Sequence, residues 1–552
     1  MKYSMVAISS VMILFSTVSM AESPLPTFHK EAITEHPQQR IEQQENSIDT
    51  NAMDRRYLGN TGTASWSVFY VQRIIIDSNL PKTNTMNPQL QHILDSYRHR
   101  NVSVSEFPKL IADVTAYYRT QGYTAPQVFI SQQDIKNSIL RIHVSMATYG
   151  TIILAKNESD VKDSILKRYI CNLKAGEIIT DKPLERAIQN LNDLPAVTAR
   201  AVLQPGTPSG TTKLGIEVMR QPVWNSYLFT DNSGGYYSGK YRYGFHTEIN
   251  NPTHEGDTMI VNGTLTSHNV KDYSVNYEMP VGIDGTRWGV GWSQSSYELH
   301  TNSLYDSLGQ SQGISWYGLT PLYSGKQKRV SFIYGYDHRD IQDSLRFHVT
   351  SEMDNETDKI GNVWHMGISG SRSKPHQDIQ YDVTYWYGHI HTEDTMGDET
   401  PSDGIYHKAT GDFLSVWYEN QWNYRISASG QVSNRFLDGS EQFYLGGMDG
   451  VRAYGASDGY GDAGYLLSGE IRRQTGIKNL EAAAFMDTSG AKLRGSDSSW
   501  DHLSGWGLGL HYQKDNDWDI QLDYAWKIHA RDDRTEPGNC NGRLWLQVYK
   551  MF

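Results

Sequence analysis

The run Gly446-Gly447-Met448-Asp449-Gly450-Val451-Arg452-Ala453-Tyr454 sets one arginine between a β-branched residue and Ala-Tyr, inside a glycine-rich stretch. Farther on, Ala484-Phe485-Met486-Asp487-Thr488-Ser489-Gly490 places a carboxylate inside a strand-like pattern. A guanidinium is a planar fork of donors, and it can meet a carboxylate through two parallel hydrogen bonds. Arg452 and Asp487 are therefore candidates for a latch between a loop and a strand, which is fastening chemistry and not catalysis. Glu481, Ala483, Phe485 and Asp487 share one face of that strand, and Leu480, Ala482, Ala484 and Met486 share the other. The acidic face is expected to be the wet one. The competing reading is a solvated loop arginine and an unrelated aspartate. Elsewhere histidines and carboxylates are scattered, with no metal-ligand spacing, nucleophile elbow or phosphate loop. His365 and His389 fall in strand patterns and read as wall or lumen residues, not ligands. We expect no enzyme, no cofactor and no metal.

A latch needs elements to hold it. From about Val223 onward, segments of alternating character follow one another. In Trp518-Asp519-Ile520-Gln521-Leu522-Asp523-Tyr524-Ala525-Trp526-Lys527-Ile528 the even positions are all apolar or aromatic. Ile379 to Tyr385 and Trp506 to Tyr512 repeat the pattern. A period of two with one lipid face and one wet face suits a transmembrane antiparallel β-barrel, and counting gives about 16 strands. Short turns are expected near 252–256, 280–285, 322–326, 373–377, 421–423, 476–479 and 514–517. On the opposite side, modest connections fall near 233–239 and 266–271. Longer loops follow near 299–312, 341–359, 392–409, 435–463, 490–503 and 528–541. Arg452 then sits in the sixth of these outer loops. A soluble β-sandwich is the plainer alternative, and the aromatic strand ends and terminal Phe552 weigh against it.

The N-terminus agrees. Lys2, an apolar run from Met5 to Met20, and Ser19-Met20-Ala21 read as a secretory signal peptide over 1–21. No later run is apolar enough for a membrane helix, and strands that alternate keep mean hydropathy low. A net charge of −12 argues against nucleic acid as a partner. Cys171 and Cys540 suit an exported chain without a disulfide framework, and the strand count puts them on opposite sides of the membrane, unpaired. Residues 22–48 are rich in Glu and Gln and read as a polar N-terminal helix that could plug a water-filled lumen, with a disordered tail as the alternative. Residues 49–65 read as a linker.

Between linker and barrel lie two patterns of strand, helix, strand, strand. The first, over 66–145, has Val68 to Ile76 as a strand, a helix carrying Leu110, Ile111, Val114 and Tyr117-Tyr118, then Gln127–Ile130 and Ile139–Val144. The second, over 146–222, has Gly150–Leu154, a helix from Leu184 to Leu194, then Ala199–Leu203 and Lys213–Val218. The barrel takes 223–552.

Specific residues now carry a likeness. Tyr118-Arg119-Thr120-Gln121-Gly122-Tyr123, followed by Val128 and Gln133-Asp134-Ile135, resembles the first POTRA domain of two-partner secretion outer-membrane transporters, the TpsB family. Leu191-Asn192-Asp193-Leu194-Pro195, Leu203-Gln204-Pro205-Gly206 and Gly210-Thr211-Thr212 resemble their second POTRA domain. Asp231-Asn232-Ser233-Gly234, Asn251-Pro252 and Gly256-Asp257 resemble the family's opening hairpin. Phe436 through Gly447, leading into Val451, Arg452, Ala453 and Tyr454, resembles its outer loop that folds back into the lumen. Three positions depart from the family pattern: Asn137-Ser138, Ala453 and Ser489 stand where glycine is usual.

The likeness implies a monomeric barrel in the bacterial outer membrane, with POTRA domains in the periplasm. It implies contact between Arg452 and Asp487. It also implies translocation of a large partner exoprotein, an adhesin, haemolysin or contact-dependent inhibition toxin, bound through the POTRA domains. The runner-up is a BamA-like outer-membrane insertase of the same superfamily, although such proteins usually carry more POTRA domains than the two that fit here. A passive porin would lack such modules.

Overall fold

The computed structural model describes residues 48–49, 68–81, 86–131, 133, 138–207, 211–268, 270–300, 305–325, 327–348, 355–394, 401–494, 499–514, 517–528 and 541–552. The signal peptide expected at 1–21 lies outside them. So do the helix expected over 22–48, except Ile48, and the linker expected over 49–65, except Asp49. Those two residues form a short strand, β1 (Ile48–Asp49), so the expected helix does not reach Ile48 and the expected linker does not begin at Asp49. Among the described residues, no helix is long and apolar enough to cross a membrane.

The chain divides into two compact units. The first spans 42–221 and holds two α+β modules. In module one, β2 (Val68–Val71) and β3 (Arg73–Ser78) precede helix α1 (Pro88–Asp95), β4 (Arg100–Ser103), helix α2 (Phe107–Thr120), β5 (Pro126–Phe129) and β6 (Ile139–Met146). β6 is central, parallel to β3 and antiparallel to β5, while β2 pairs with β4. The single strand expected over Val68–Ile76 is two. Val71 and Ile74 are both buried, and an odd spacing cannot keep both on one face of a continuous strand. The break falls at Gln72, whose N–H donates to the Ser138 carbonyl at 2.8 Å.

Helix α1, absent from the sequence reading, starts at Asn87, whose side chain accepts from the Gln89 N–H, with Pro88 in the first turn. Leu110, Val114, Tyr117 and Tyr118 form the buried stripe of α2. Ser138 takes φ +57°, a left-handed conformation that a glycine would adopt without strain.

Module two repeats the plan with β7 (Thr148–Asn157), α3 (Asp163–Ile170), α4 (Asp181–Asn192), β8 (Val197–Pro205) and β9 (Thr211–Arg220). Its sheet order is β1-β8-β9-β7. Leu184, Ile188 and Leu191 of α4 pack in one core with Ala199, Ala201, Leu214 and Ile216. Full burial of a side chain such as Leu or Ile stabilises by about 1.5–3 kcal/mol, so each module carries its own core. β1 runs parallel to β8, with Ile48 beside Ala201 and packed on that core.

The second unit, described from Pro222 to Phe552, is a closed antiparallel barrel. It opens with β10 (Trp224–Asp231), β11 (Arg242–Asn250), β12 (Thr258–Thr266), β13 (Lys271–Pro280) and β14 (Arg287–His300). Its longest strands are β15 (Tyr305–Ser324), β16 (Lys328–Phe347), β17 (Asn355–Lys374) and β18 (Gln377–Asp394). β19 (Gly404–Glu419) and β20 (Trp422–Ser433) lead into loop 6, residues 434–462, which contains the small ladder of β21 (Phe443–Tyr444) and β22 (Tyr460–Gly461). β23 (Ala463–Gln474), β24 (Leu480–Lys492), β25 (Asp501–Lys514), β26 (Trp518–Lys527) and β27 (Gly542–Met551) complete the wall, and β27 pairs with β10.

The described barrel has 16 strands. Closure removes the unpaired edges that no strand could carry through lipid. Alternate positions face outward, as with Leu508 and Leu510 on β25, Leu522 and Tyr524 on β26, and Leu544 and Leu546 on β27. The turns expected on the short side fall between strands. Strands reach into four expected outer loops: β14 to β17 take up most of the described residues of 299–312 and 341–359, and β18, β19, β24 and β25 run into the ends of 392–409 and 490–503.

Candidate functional site

Loop 6 turns back against the inner wall. The chain there has little room. A Cβ at Gly450 would strike the carbonyls of Leu445 and Gly446, and Gly447 takes φ +101°. Leu445, Val451, Ala453 and Tyr454 are buried in one cluster with the wall residues Leu466, Phe485, Leu503 and Ala525. The apolar side chains on either side of Arg452 thus embed the loop, and the arginine reaches the wall between them.

Arg452 is 6 % exposed and donates six hydrogen bonds. Its Nε and Nη2 meet Asp487 Oδ2 and Oδ1 at 2.9 Å each, a bidentate fork. Nη1 reaches Glu470 Oε2 at 2.9 Å and Asp523 Oδ2 at 3.1 Å. Its backbone N–H donates to Asp487 Oδ2, and Nη2 to Ser468 Oγ. The guanidinium lies 3.3 Å from the centre of the Phe485 ring. Trp545 Nε1 donates to the Arg452 carbonyl at 2.6 Å.

Three strands supply the carboxylates: β23 gives Glu470, β24 gives Asp487, and β26 gives Asp523. The excess negative charge is met from behind. Arg472 pairs with Glu470, and His511 Nε2 lies 2.9 Å from Asp523. Removing one member of such a buried set leaves an uncompensated charge, at a cost of about 3–5 kcal/mol.

The alternation in β24 turns Ala483, Phe485 and Asp487 inward and Ala482, Ala484 and Met486 outward. Sequence reasoning missed Glu470, Asp523, Ser468 and Trp545. Asp523 stood on the polar face of the Trp518–Ile528 pattern, so its inward direction was available. Its meeting with Arg452 was not, because the curvature of three strands sets it.

Ala453 and Ser489 also find local reasons. Gly505 on β25 lies opposite Ala453, and a Cβ added there would come within 2.6 Å of the Ala453 methyl. Ser489 is buried, and its hydroxyl donates to the Leu445 carbonyl at 3.4 Å. His365 is buried on the inner face, with Nδ1 3.3 Å from Asp337, while His389 is exposed on the outer face. Among the described residues no group of His, Cys, Asp or Glu is arranged to hold a metal. Cys171 is an exposed free thiol, and Cys540 lies outside the described residues.

A closed outer-membrane barrel with a lumen-bound loop, in a chain that also carries α+β modules, defines a class of polypeptide transporter. Comparison with known proteins gives the family. Residues 210–512 match the family described as haemolysin secretion/activation protein ShlB/FhaC/HecB, and residues 71–146 match the ShlB-type POTRA domain. The heme/hemopexin transporter protein HuxB of Haemophilus influenzae (strain 86-028NP) is 24% identical over 506 residues, covering 87% of this chain and 86% of the relative. CdiB from Escherichia coli superposes with a TM-score of 0.65 at 16% identity, over 93% of this chain and 96% of that one. BamA from Haemophilus ducreyi lacking POTRA domains 1-3 gives 0.53 at 12% identity, over 88% and 100%. At these identities the solved structures show the fold alone.

The chain belongs to the haemolysin secretion/activation protein family ShlB/FhaC/HecB. It is an outer-membrane transporter of two-partner secretion, and it moves a partner exoprotein.

Proposed function

We propose that loop 6 is the element that keeps the lumen closed and organised, with Arg452 and Asp487 as its latch and Val451, Ala453 and Tyr454 as the embedded sides of its tip. The observation that carries this is the six-bonded Arg452 buried among carboxylates of three wall strands. A passive pore has no need to bury an arginine at that cost. Modules 66–145 and 146–222 serve as two POTRA domains that bind the exoprotein, and the barrel over 223–552 works as a monomer.

Open sheet edges support capture by strand addition, in which main-chain hydrogen bonds supply affinity and alternate side chains supply selectivity. β5 in module one and β7 in module two lie at such edges, whereas β1 covers part of β8. Relatives named for heme/hemopexin transport and CdiB support a cargo from haem acquisition or contact-dependent inhibition, beside the adhesins and haemolysins expected from sequence.

The test is a secretion assay that supplies as exoprotein any very long reading frame found beside this one. Arg452→Ala and Asp487→Ala are each expected to lower surface exoprotein by about tenfold or more, the scale set by an uncompensated buried charge. Wild-type secretion from both variants, at equal barrel levels, would overturn the latch.

A further inference from the structure

Loop 6 carries charges of the other sign as well. Its entry limb, ahead of β21, presents Asp438 and Glu441, both buried. Lys359 of β17 places Nζ 3.0 Å from Asp438 Oδ2 and 3.0 Å from Asp343 Oδ2. Glu441 is held through both oxygens: Arg339 of β16 donates to Oε1 at 2.9 Å, and Lys408 of β19 to Oε2 at 2.5 Å. Gln431 on β20 donates to the Glu441 carbonyl at 2.9 Å. The limb is further shaped by Asp438, whose Oδ1 accepts from Ser440 N and Oγ.

These contacts share no residue with those of Arg452. They lie on β16, β17, β19 and β20, the strands that precede the loop, whereas Glu470, Asp487 and Asp523 lie on β23, β24 and β26, the strands that follow it. The polarity is reversed: a cation on the loop tip meets an anionic wall, and anions on the entry limb meet a cationic wall. A loop shifted so that its tip approached β16 to β19 would bring Arg452 toward Arg339, Lys359 and Lys408, and like-charge contact opposes that placement.

We propose that Asp438 and Glu441, with Arg339, Lys359 and Lys408, form a second and independent clamp, which keeps the entry limb lodged in the lumen when Arg452 lets go. This rests on the reading of loop 6 as the element that closes the lumen. Groups without shared partners contribute nearly additively, so release of the tip leaves the limb's ion pairs in place. The clamp residues position the loop; they are not assigned contact with the exoprotein.

The experiment uses the full chain in intact cells, with Cys171→Ser and Cys540→Ser as background and Ser440→Cys as a reporter on the buried limb. A membrane-impermeant maleimide reads exposure of that cysteine, and heat-modifiable mobility reads the folded barrel. Lys359→Glu is expected to raise labelling by about tenfold, since it sets a third carboxylate beside Asp438 and Asp343. Asp438→Lys added to Lys359→Glu restores protection by reversing the pair, which general weakening of the barrel would not do. Arg452→Ala alone is expected to leave labelling within about twofold of the parent.

Should Lys359→Glu fail to assemble, Lys359→Met strands the same carboxylates and is expected to expose the reporter too. Unchanged labelling in the Lys359 variants, or no recovery in the double variant, overturns the clamp. Labelling by Arg452→Ala equal to that by Lys359→Glu also overturns it, because the two anchors would then be one. Secretion unaffected by Arg452→Ala, with limb labelling still controlled by Lys359, would instead sink the closing role of the tip and leave the clamp standing.

Discussion

At the scale of single residues, the geometry of Arg452 makes charge alone insufficient. Lysine is a point charge on a flexible stem and cannot make a fork on Asp487 while reaching Glu470 and Asp523. Arg452→Lys is therefore expected to raise resting conductance in planar bilayers nearly as far as Arg452→Ala. Glu470→Gln, which keeps the Asp487 fork, is expected to raise it less. Equal conductance in Arg452→Lys and the parent would show that a positive charge suffices. The facing of Asp487 was legible because a strand's two-residue period is strict. The rest of the socket was not, since Glu470 and Asp523 lie on other strands and no pattern within one strand reports how those strands curve toward a loop tip. Ser138, Ala453 and Ser489 show the same limit. Each stands where the family likeness led to an expectation of glycine, and only three-dimensional context shows what each does: a left-handed turn, a methyl against Gly505, a hydroxyl on Leu445.

Among elements, β26 states the rule of the wall most cleanly. Leu522 lies midway between Trp518 and Trp526 on the outward face, the position of deepest apolar contact. Leu522→Arg is expected to destabilise the barrel by about 2–4 kcal/mol, the range for a basic residue at the bilayer midplane. Urea unfolding in liposomes measures it, and a change below about 0.5 kcal/mol would place Leu522 outside the apolar band. Membrane-facing strands were readable because lipid enforces alternation. Their outer ends were not, because polar residues then occupy the outward face as well. Gln310, Gln312, Gln342 and Asp358 all lie exposed in strands where loops were expected. Helix α1 escaped for a related reason: eight residues with two buried leucines give too short a stripe to read.

For the whole molecule, closure depends on the seam between the first and last barrel strands. β10 and β27 pair over Tyr227–Asp231, and the ladder is then continued by a side chain. Asn232 donates Nδ2 to the Leu544 carbonyl and accepts from the Leu546 N–H, each at 2.8 Å, so its amide imitates another residue of strand. Asn232→Ala is expected to weaken the barrel by about 1–3 kcal/mol, from two lost hydrogen bonds. The midpoint of heat-modifiable mobility should fall, and an unchanged midpoint would show that the clasp carries no weight. A barrel with α+β modules was legible from alternation and from the POTRA-like residues. The addition of β1 to the second module was not, since two residues carry no periodicity.

The unequal strands have a consequence at the cell surface. Twenty residues at about 3.3 Å each, tilted by about 45°, climb roughly 45 Å. The apolar band of an outer-membrane barrel is only about 25 Å tall, so β15 to β17 stand about 20 Å proud of it, whereas β11 and β12 are nine residues long. The pore mouth is therefore lopsided. An emerging polypeptide would meet a taller polar wall on the flank of β15 to β17 than on the flank of β11 and β12.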